Sequence, residues 1–193
     1  MRIIGITGGI GSGKTTVCGI FEALGTPIYY ADDRAKAVMH SDPVLVNDIK
    51  RHFGEEAYVN EQLNRPFLAK QVFGSKEQLA VLNGLVHPAV AKDFIAWVSQ
   101  HTDHSYIMKE AAILFESGAY KAVQETILVT ANEAVRLQRV VLRDGISEDE
   151  VRQRMANQWS EERKVELANH IIHNDGHQLL IPQVLALHTQ FSK

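Results

Sequence analysis

The sequence predicts an α/β fold in which a parallel sheet is flanked by helices and carries a helical insertion and a helical lid. Three observations predict it. Short apolar segments alternate with helical patterns, a glycine-rich turn joins the first strand to the first helix, and two long helical excursions interrupt the alternation. At 193 residues, with 45% hydrophobic and 22% charged side chains, the chain suits one compact domain. A chain of this length buries about 70% of its unfolded surface without needing disulfide or metal staples.

Arg2 to Thr7 reads as a strand, Thr15 to Leu24 as a helix with Gly25 just past its end, and Pro27 to Tyr30 as a second strand. Strand, helix and strand around a glycine-rich first turn imply parallel strands and a right-handed crossover. Between Asp33 and His101 no strand is evident. Helix starts stand there instead at Pro43 after Ser41-Asp42, at Pro66 after Asn64-Arg65, and at Ser75, where Gln78 would complete a capping box. This reads as an all-helical insertion. Tyr106 to Glu110, Glu125 to Thr130 and His170 to His173 are the remaining strands, separated by long helical patterns. The second excursion, Asn132 to about Ala168, is charged throughout; Gly145 ends one of its helices and Ser147-x-x-Glu150 caps the next. Leu180, Val184, Leu187 and Phe191 then form an apolar stripe for packing a last helix on the sheet.

Composition excludes several classes of function. The single cysteine, Cys18, cannot form an internal bridge, and its apolar neighbours predict a buried, inert thiol. The longest unbroken apolar runs, Phe94 to Val98 and Ala111 to Phe115, are five residues each, which argues against a membrane span. The start of the chain carries no adequate signal-peptide core or cleavage site, so the expected location is cytoplasmic. A formal charge of −3 gives no overall field to draw the chain onto nucleic acid, so any anion must be met locally.

That local site is Gly8-Gly9-Ile10-Gly11-Ser12-Gly13-Lys14-Thr15, which satisfies G-x-x-x-x-G-K-S/T between a strand and a helix. Its glycines let successive N–H groups turn inward around phosphate oxygens, and the helix N-terminus adds its positive dipole end. Lys14 would reach the β and γ phosphates, and the Thr15 hydroxyl would complete a magnesium shell. The guanine-specifying Asn-Lys-x-Asp tetrapeptide is absent. Asp32, just beyond the second strand, is placed either to accept the proton of an attacking hydroxyl or to cap the helix beginning near Arg34. Six of the ten arginines fall between Arg136 and Arg163. Arg136, Arg139 and Arg143 would share one helix face, suited either to close over phosphates or to pair with neighbouring glutamates.

Taken together these segments resemble the dephospho-CoA kinase family almost end to end. Ile6-Thr7-Gly8-Gly9-Ile10-Gly11-Ser12-Gly13-Lys14-Thr15-Thr16 is similar to the family's phosphate loop, and Tyr30-Ala31-Asp32 to its Asp-Ala-Asp, with tyrosine in place of the first carboxylate. His87-Pro88 resembles its His-Pro pair ahead of a helix, and Ile113 to Gly118 its Pro-Leu-Leu-Phe-Glu-Ser-Gly stretch, with Ala112 in place of the proline. Arg139, Arg143 and Gln158 fall at its lid positions, and Asn174-Asp175-Gly176 at its late Asn-x-Gly turn. The resemblance implies a P-loop kinase, cytoplasmic and more readily a monomer than an oligomer. Its reaction would move the ATP γ-phosphoryl group to the ribose 3′-hydroxyl of dephospho-CoA, with Mg2+. It implies catalysis by Asp32 and Lys14, ATP binding by Gly11, Ser12, Gly13, Lys14, Thr15, Thr16, Arg139 and Arg143, acceptor contacts at Thr7, Asp32, His87 and Glu116, and metal binding at Thr15. The core would be residues 1–32, 86–131 and 169–193, the acceptor-binding insertion 33–85 and the lid 132–168. Two alternatives share the loop: a kinase for a nucleoside monophosphate or another small alcohol, and a binding module in which ATP moves the lid without chemistry.

Three further features have structural readings beside functional ones. His170, His173 and His177 have a metal-like composition, yet a strand sends positions 170 and 173 to opposite faces. Phe94 and Trp97 share a helix face and read as core. Trp159, beside Gln158, is a candidate aromatic surface near the adenine.

Overall fold

The computed structural model describes all 193 residues. In chain order they form β1 (Arg2–Gly8), α1 (Lys14–Ala23), β2 (Ile28–Tyr30), α2 (Ala31–Ser41), α3 (Pro43–Phe53), β3 (Tyr58–Val59), β4 (Gln62–Leu63), α4 (Arg65–Val72), α5 (Lys76–Ser99) and β5 (Tyr106–Glu110). β6 (Glu125–Thr130), α6 (Glu133–Asp144), α7 (Glu148–Ala156), α8 (Glu161–Leu167), β7 (His170–His173) and α9 (Leu180–Phe191) follow. They make two compact units, Met1–Tyr30 with His101–Lys193, and Ala31–Gln100.

The first unit holds a five-stranded parallel sheet in the order β2-β5-β1-β6-β7. All five strands expected from the sequence form, because each is an apolar run bounded by a turn residue. β1 lies at the centre, with Ile4 opposite Met108 on one side and Glu125 on the other. Its neighbours receive the chain from opposite directions, so the crevice beyond its C-terminal end is the ligand position such sheets favour. Ile4 and Ile6 pack with Val17, Cys18 and Phe21 of α1 and with Val184 and Phe191 of α9 in one buried cluster. The expected stripe on α9 is complete, since Leu180 and Leu187 pack against the same cluster. Gly25 ends α1 at φ +84°, with its N–H on Glu22 O at 2.9 Å.

Within the same unit, α6 and α7 bury Leu137, Val140 and Val151 against each other, and Ile10 packs on that cluster. Gly145 closes α6 in the left-handed region at φ +66°, and Ser147 and Glu150 form a complete capping box.

The second unit buries Val38, Leu45, Ile49, Phe53, Leu68 and Val86, drawn from α2 to α5. Asp42 caps α3 by accepting from Val44 N at 2.9 Å, and Asn64 caps α4 by accepting from Phe67 N at 3.3 Å. Ser75 accepts from Gln78 N at 3.2 Å, but the reciprocal half of the expected box is not formed.

Three expectations are corrected here. The insertion is not all helical: β3 and β4 form a two-residue hairpin whose turn residues, Asn60 and Glu61, have φ of 49° and 63°. Strands that short carry no alternation to detect, and Glu61 is a poor advertisement for a left-handed turn. α2 begins at Ala31, which puts Asp32 in its first turn rather than at its cap. His87-Pro88 lies inside α5 rather than ahead of a helix. The bond that Pro88 cannot make would have gone to exposed Gly84, and packing of Leu82, Leu85, Val86, Ala89 and Val90 carries the helix through. The second unit thus runs from 31 to 100 with α5 continuous through residue 85. By length and composition α5 alone would pass as a membrane span, but those five residues pack into the core of this unit.

Candidate active site

β1 stops at Gly8 and α1 starts at Lys14, so the connecting loop turns at the C-terminal edge of the sheet. Gly11 and Gly13 have φ of +79° and +84°, where an L side chain is strained. At Gly8 a Cβ would come within 2.5 Å of both Ser12 Oγ and the Val129 carbonyl oxygen. Glycine is therefore required by space as well as by conformation. Gly13 gives α1 no side-chain cap, which leaves the first N–H groups of the helix for an outside acceptor. Ser12 Oγ is buried without a partner.

Side chains distant in sequence hold this loop. Asn174 Nδ2 donates to Ser12 O at 2.8 Å, and Arg139 Nη1 reaches Gly11 O at 3.5 Å. Gln158 makes two bonds: Oε1 accepts from Ile10 N at 2.9 Å and Nε2 donates to Ala112 O at 3.3 Å. The Lys14 ammonium pairs with the buried carboxylate of Glu110, the last residue of β5.

A cleft of about 510 Å³ opens beside the loop, lined by Ala131, Arg136, Arg152, Met155, Trp159 and Glu161 among others. Arg136 is buried there, with Nη1 on Glu161 Oε1 at 3.3 Å, while Thr130 Oγ1 donates to Glu161 Oε2 at 2.7 Å. Behind the lining residue Trp159, whose N–H donates to it at 3.0 Å, Glu116 Oε1 lies 3.3 Å from the fully buried Lys164 ammonium.

The loop and this wall of polar groups describe a phosphate site that many proteins share; the rest of the chain decides which. A family model described as dephospho-CoA kinase matches residues 2–179. The chain belongs to the dephospho-CoA kinase family. A dephospho-CoA kinase of Salinibacter ruber is 44% identical over 179 residues, which is 91% of this chain and 90% of that protein. One from Bacteroides fragilis is 40% identical over 184 residues, 95% of this chain and 90% of that protein. A crystal structure of a Thermus thermophilus protein superposes with a TM-score of 0.88 at 33% identity, covering 98% of this chain and 96% of that one. The fold is accordingly that of the P-loop kinases.

Against this family background, Gly11, Ser12, Gly13, Lys14, Thr15 and Thr16 stand together on the loop and the first turn of α1, with Thr15 and Thr16 exposed. Thr7 is fully buried, its hydroxyl donating to Ala112 O at 3.4 Å. Asp32 and His87 are exposed on α2 and α5. The three arginines of α6 do not converge: Arg136 turns to Glu161, Arg139 to the loop, and exposed Arg143 forks onto Asp144, with Nε on Oδ1 at 2.7 Å. Spacing aligns their Cβ atoms, but neighbouring acceptors decide where such long side chains end. Asp144 is correspondingly held below the usual carboxylate range by its bonds to Arg143. The Trp159 ring is covered by the Arg163 guanidinium at 3.4 Å. His170 Nε2 is engaged with Glu125 Oε2 at 2.6 Å.

Glu110, Lys164 and the loop-holding roles of Gln158 and Asn174 escaped the sequence reading. Only Glu110 had an accessible signal, as an acidic residue closing an apolar strand; the others act over 46 or more positions along the chain.

Proposed function

We propose that this chain transfers the γ-phosphoryl group of ATP to the ribose 3′-hydroxyl of dephospho-CoA, giving CoA and ADP, the final step of coenzyme A biosynthesis. The observation that carries the reading is a family match spanning residues 2–179, because it includes the Ala31–Gln100 unit as well as the loop. A phosphate loop by itself does not choose an acceptor.

The loop suits a triphosphate. A Cβ at Gly8 has no room, α1 lacks a side-chain cap, and the Ser12 hydroxyl is buried without a partner, all of which fit a polyanion seated on main-chain amides. Lys14 leaves Glu110 for the β and γ phosphates and stabilises charge on the group in transfer. Arg139, already at the loop, clamps the phosphates, and Arg143 joins it by releasing Asp144 as the lid, residues 132–168, closes and excludes water. The Thr15 hydroxyl and the Glu110 carboxylate would hold Mg2+, which would supply positive charge against the charge developing on the transferred group.

Asp32 lies two residues after Tyr30, which ends β2 opposite Glu110. In the proposal its carboxylate orients the acceptor hydroxyl and takes its proton. Residues 33–85 receive the rest of dephospho-CoA. His87, exposed on α5, is the acceptor contact that burial supports most directly. Thr7 donates to Ala112 O, and Glu116 uses Oε1 for the Trp159 N–H and the Lys164 ammonium, which leaves Glu116 Oε2 as its oxygen for an acceptor. Most of the rate enhancement comes from positioning and fixed charge, since phosphoryl transfer needs little covalent help.

Incubating the purified chain with ATP, Mg2+ and dephospho-CoA should give CoA and ADP in equal amounts. Absence of CoA, or faster ADP release with a nucleoside monophosphate as acceptor, rejects the assignment.

A further inference from the structure

Lys164 is fully buried on α8 in a segment otherwise rich in exposed charge. Burying an ammonium is costly unless an anion meets it. The anion is Glu116, on the segment after β5, with Oε1 at 3.3 Å. The same oxygen accepts the Trp159 N–H, so one carboxylate fixes both the helix and the strand of backbone leading into it. The residue before Trp159 is Gln158, whose amide spans Ile10 N of the phosphate loop and Ala112 O. Ala112 and Glu116 belong to one short segment, and both ends of the 158–164 stretch are pinned to it.

We propose that Lys164 is a positioning residue for the ATP site, acting through Glu116 and the Trp159 backbone to hold Gln158 against the outer lip of the phosphate loop. Gln158 can bridge Ile10 and Ala112 only if its main chain is held at the right height, and the charge pair sets that height. Without Lys164, Glu116 is a buried carboxylate lacking its cation, and it relaxes toward water. The Trp159 bond then loosens, and Ile10 loses the acceptor that fixes the loop. The inference rests on the nucleotide reading of residues 8–15.

The test is direct titration of the full chain with a non-hydrolysable ATP analogue, beside steady-state kinetics and thermal melting. Lys164→Met, which keeps length and removes charge, should weaken analogue binding and raise KM for ATP by about tenfold. Gln158→Ala should do the same, and the double variant should be no worse than the worse single one, because both sit on one path. A lowered melting temperature with unchanged ATP affinity would make Lys164 merely structural and overturn the proposal, as would additive effects in the double variant. Should Lys164→Met fail to fold, Gln158→Ala decides: unchanged ATP affinity there removes the last link. Wild-type protein that binds the analogue but makes no CoA refutes the acceptor assignment and leaves this inference standing. Wild-type protein that binds no analogue refutes both.

Discussion

The two edges of the parallel sheet treat polar groups in opposite ways. At the N-terminal edge the hydroxyl of Tyr106 is shared between Thr26 Oγ1 at 2.8 Å and His188 Nδ1 at 2.7 Å. Nearby, Arg2 donates to the carbonyls of Gln190 and Phe191, and Thr126 exchanges bonds with Asn169. At the other edge, the loops and helices following β1, β5 and β6 hold the four buried side-chain atoms without a hydrogen bond: Ser12 Oγ, Glu116 Oε2, Arg136 Nε and Lys164 Nζ. Unsatisfied buried groups are destabilising and call for an explanation. Lys164 Nζ and Glu116 face each other as an ion pair, and Ser12 Oγ, on the loop, is the donor that the proposed polyanion would meet. One edge is completed by hydrogen bonds within the chain; the other keeps a donor for the proposed substrate.

That contrast can be broken or sharpened by substitution. Lys14→Ala should cost the most, lowering kcat on the order of a thousandfold while the circular dichroism of the fold persists; normal CoA production in that variant would remove the cradle from the mechanism. Asp32→Asn should retain ATP affinity and lose at least about a hundredfold in turnover, and if turnover survives, Asp32 is only a first-turn carboxylate of α2.

Cys18, in the core between the edges, should show itself only in alkali. Burial pushes its pKa up from 9.0 to about 12, against the lowering pull of Lys14. Above pH 9 the unfolded chain loses this proton and the native chain keeps it, so the contribution is intact below pH 9 and declines as pH rises toward 12. The decline has a limiting slope of about 1.4 kcal/mol per pH unit. Cys18→Ala should flatten that part of a stability curve measured in urea; an unchanged curve would show that the thiol ionises freely.

The smallest effect belongs to the satisfied edge. Tyr106→Phe should lower stability by about 1 kcal/mol and leave kcat/KM alone. A change in ATP affinity there would mean that the two edges are not separable.

How much was legible in the sequence divides along similar lines. The strands, the cap at Asp42, the box at Ser147 and the stripe on α9 are local patterns, decided by residues within one or two turns of each other. The loop was legible because its glycines, Lys14 and Thr15 are consecutive. The partners that hold it were not. Gln158 meets Ile10 across 148 positions, and Asn174 meets Ser12 across 162. Nothing in the character of a glutamine or an asparagine announces such a meeting. The α6 arginines show the converse, in which spacing left two destinations open and the neighbouring acceptors decide: Glu161 takes Arg136 and Asp144 takes Arg143.

The Lys14–Glu110 pair balances charge at the phosphate loop within the chain itself. A bare anion that captured the ammonium would strand a carboxylate in a dry place, an exchange with little to favour it. In the proposed function a triphosphate arriving with its divalent counter-ion would replace both members at once, so the pair would favour it over inorganic phosphate alone.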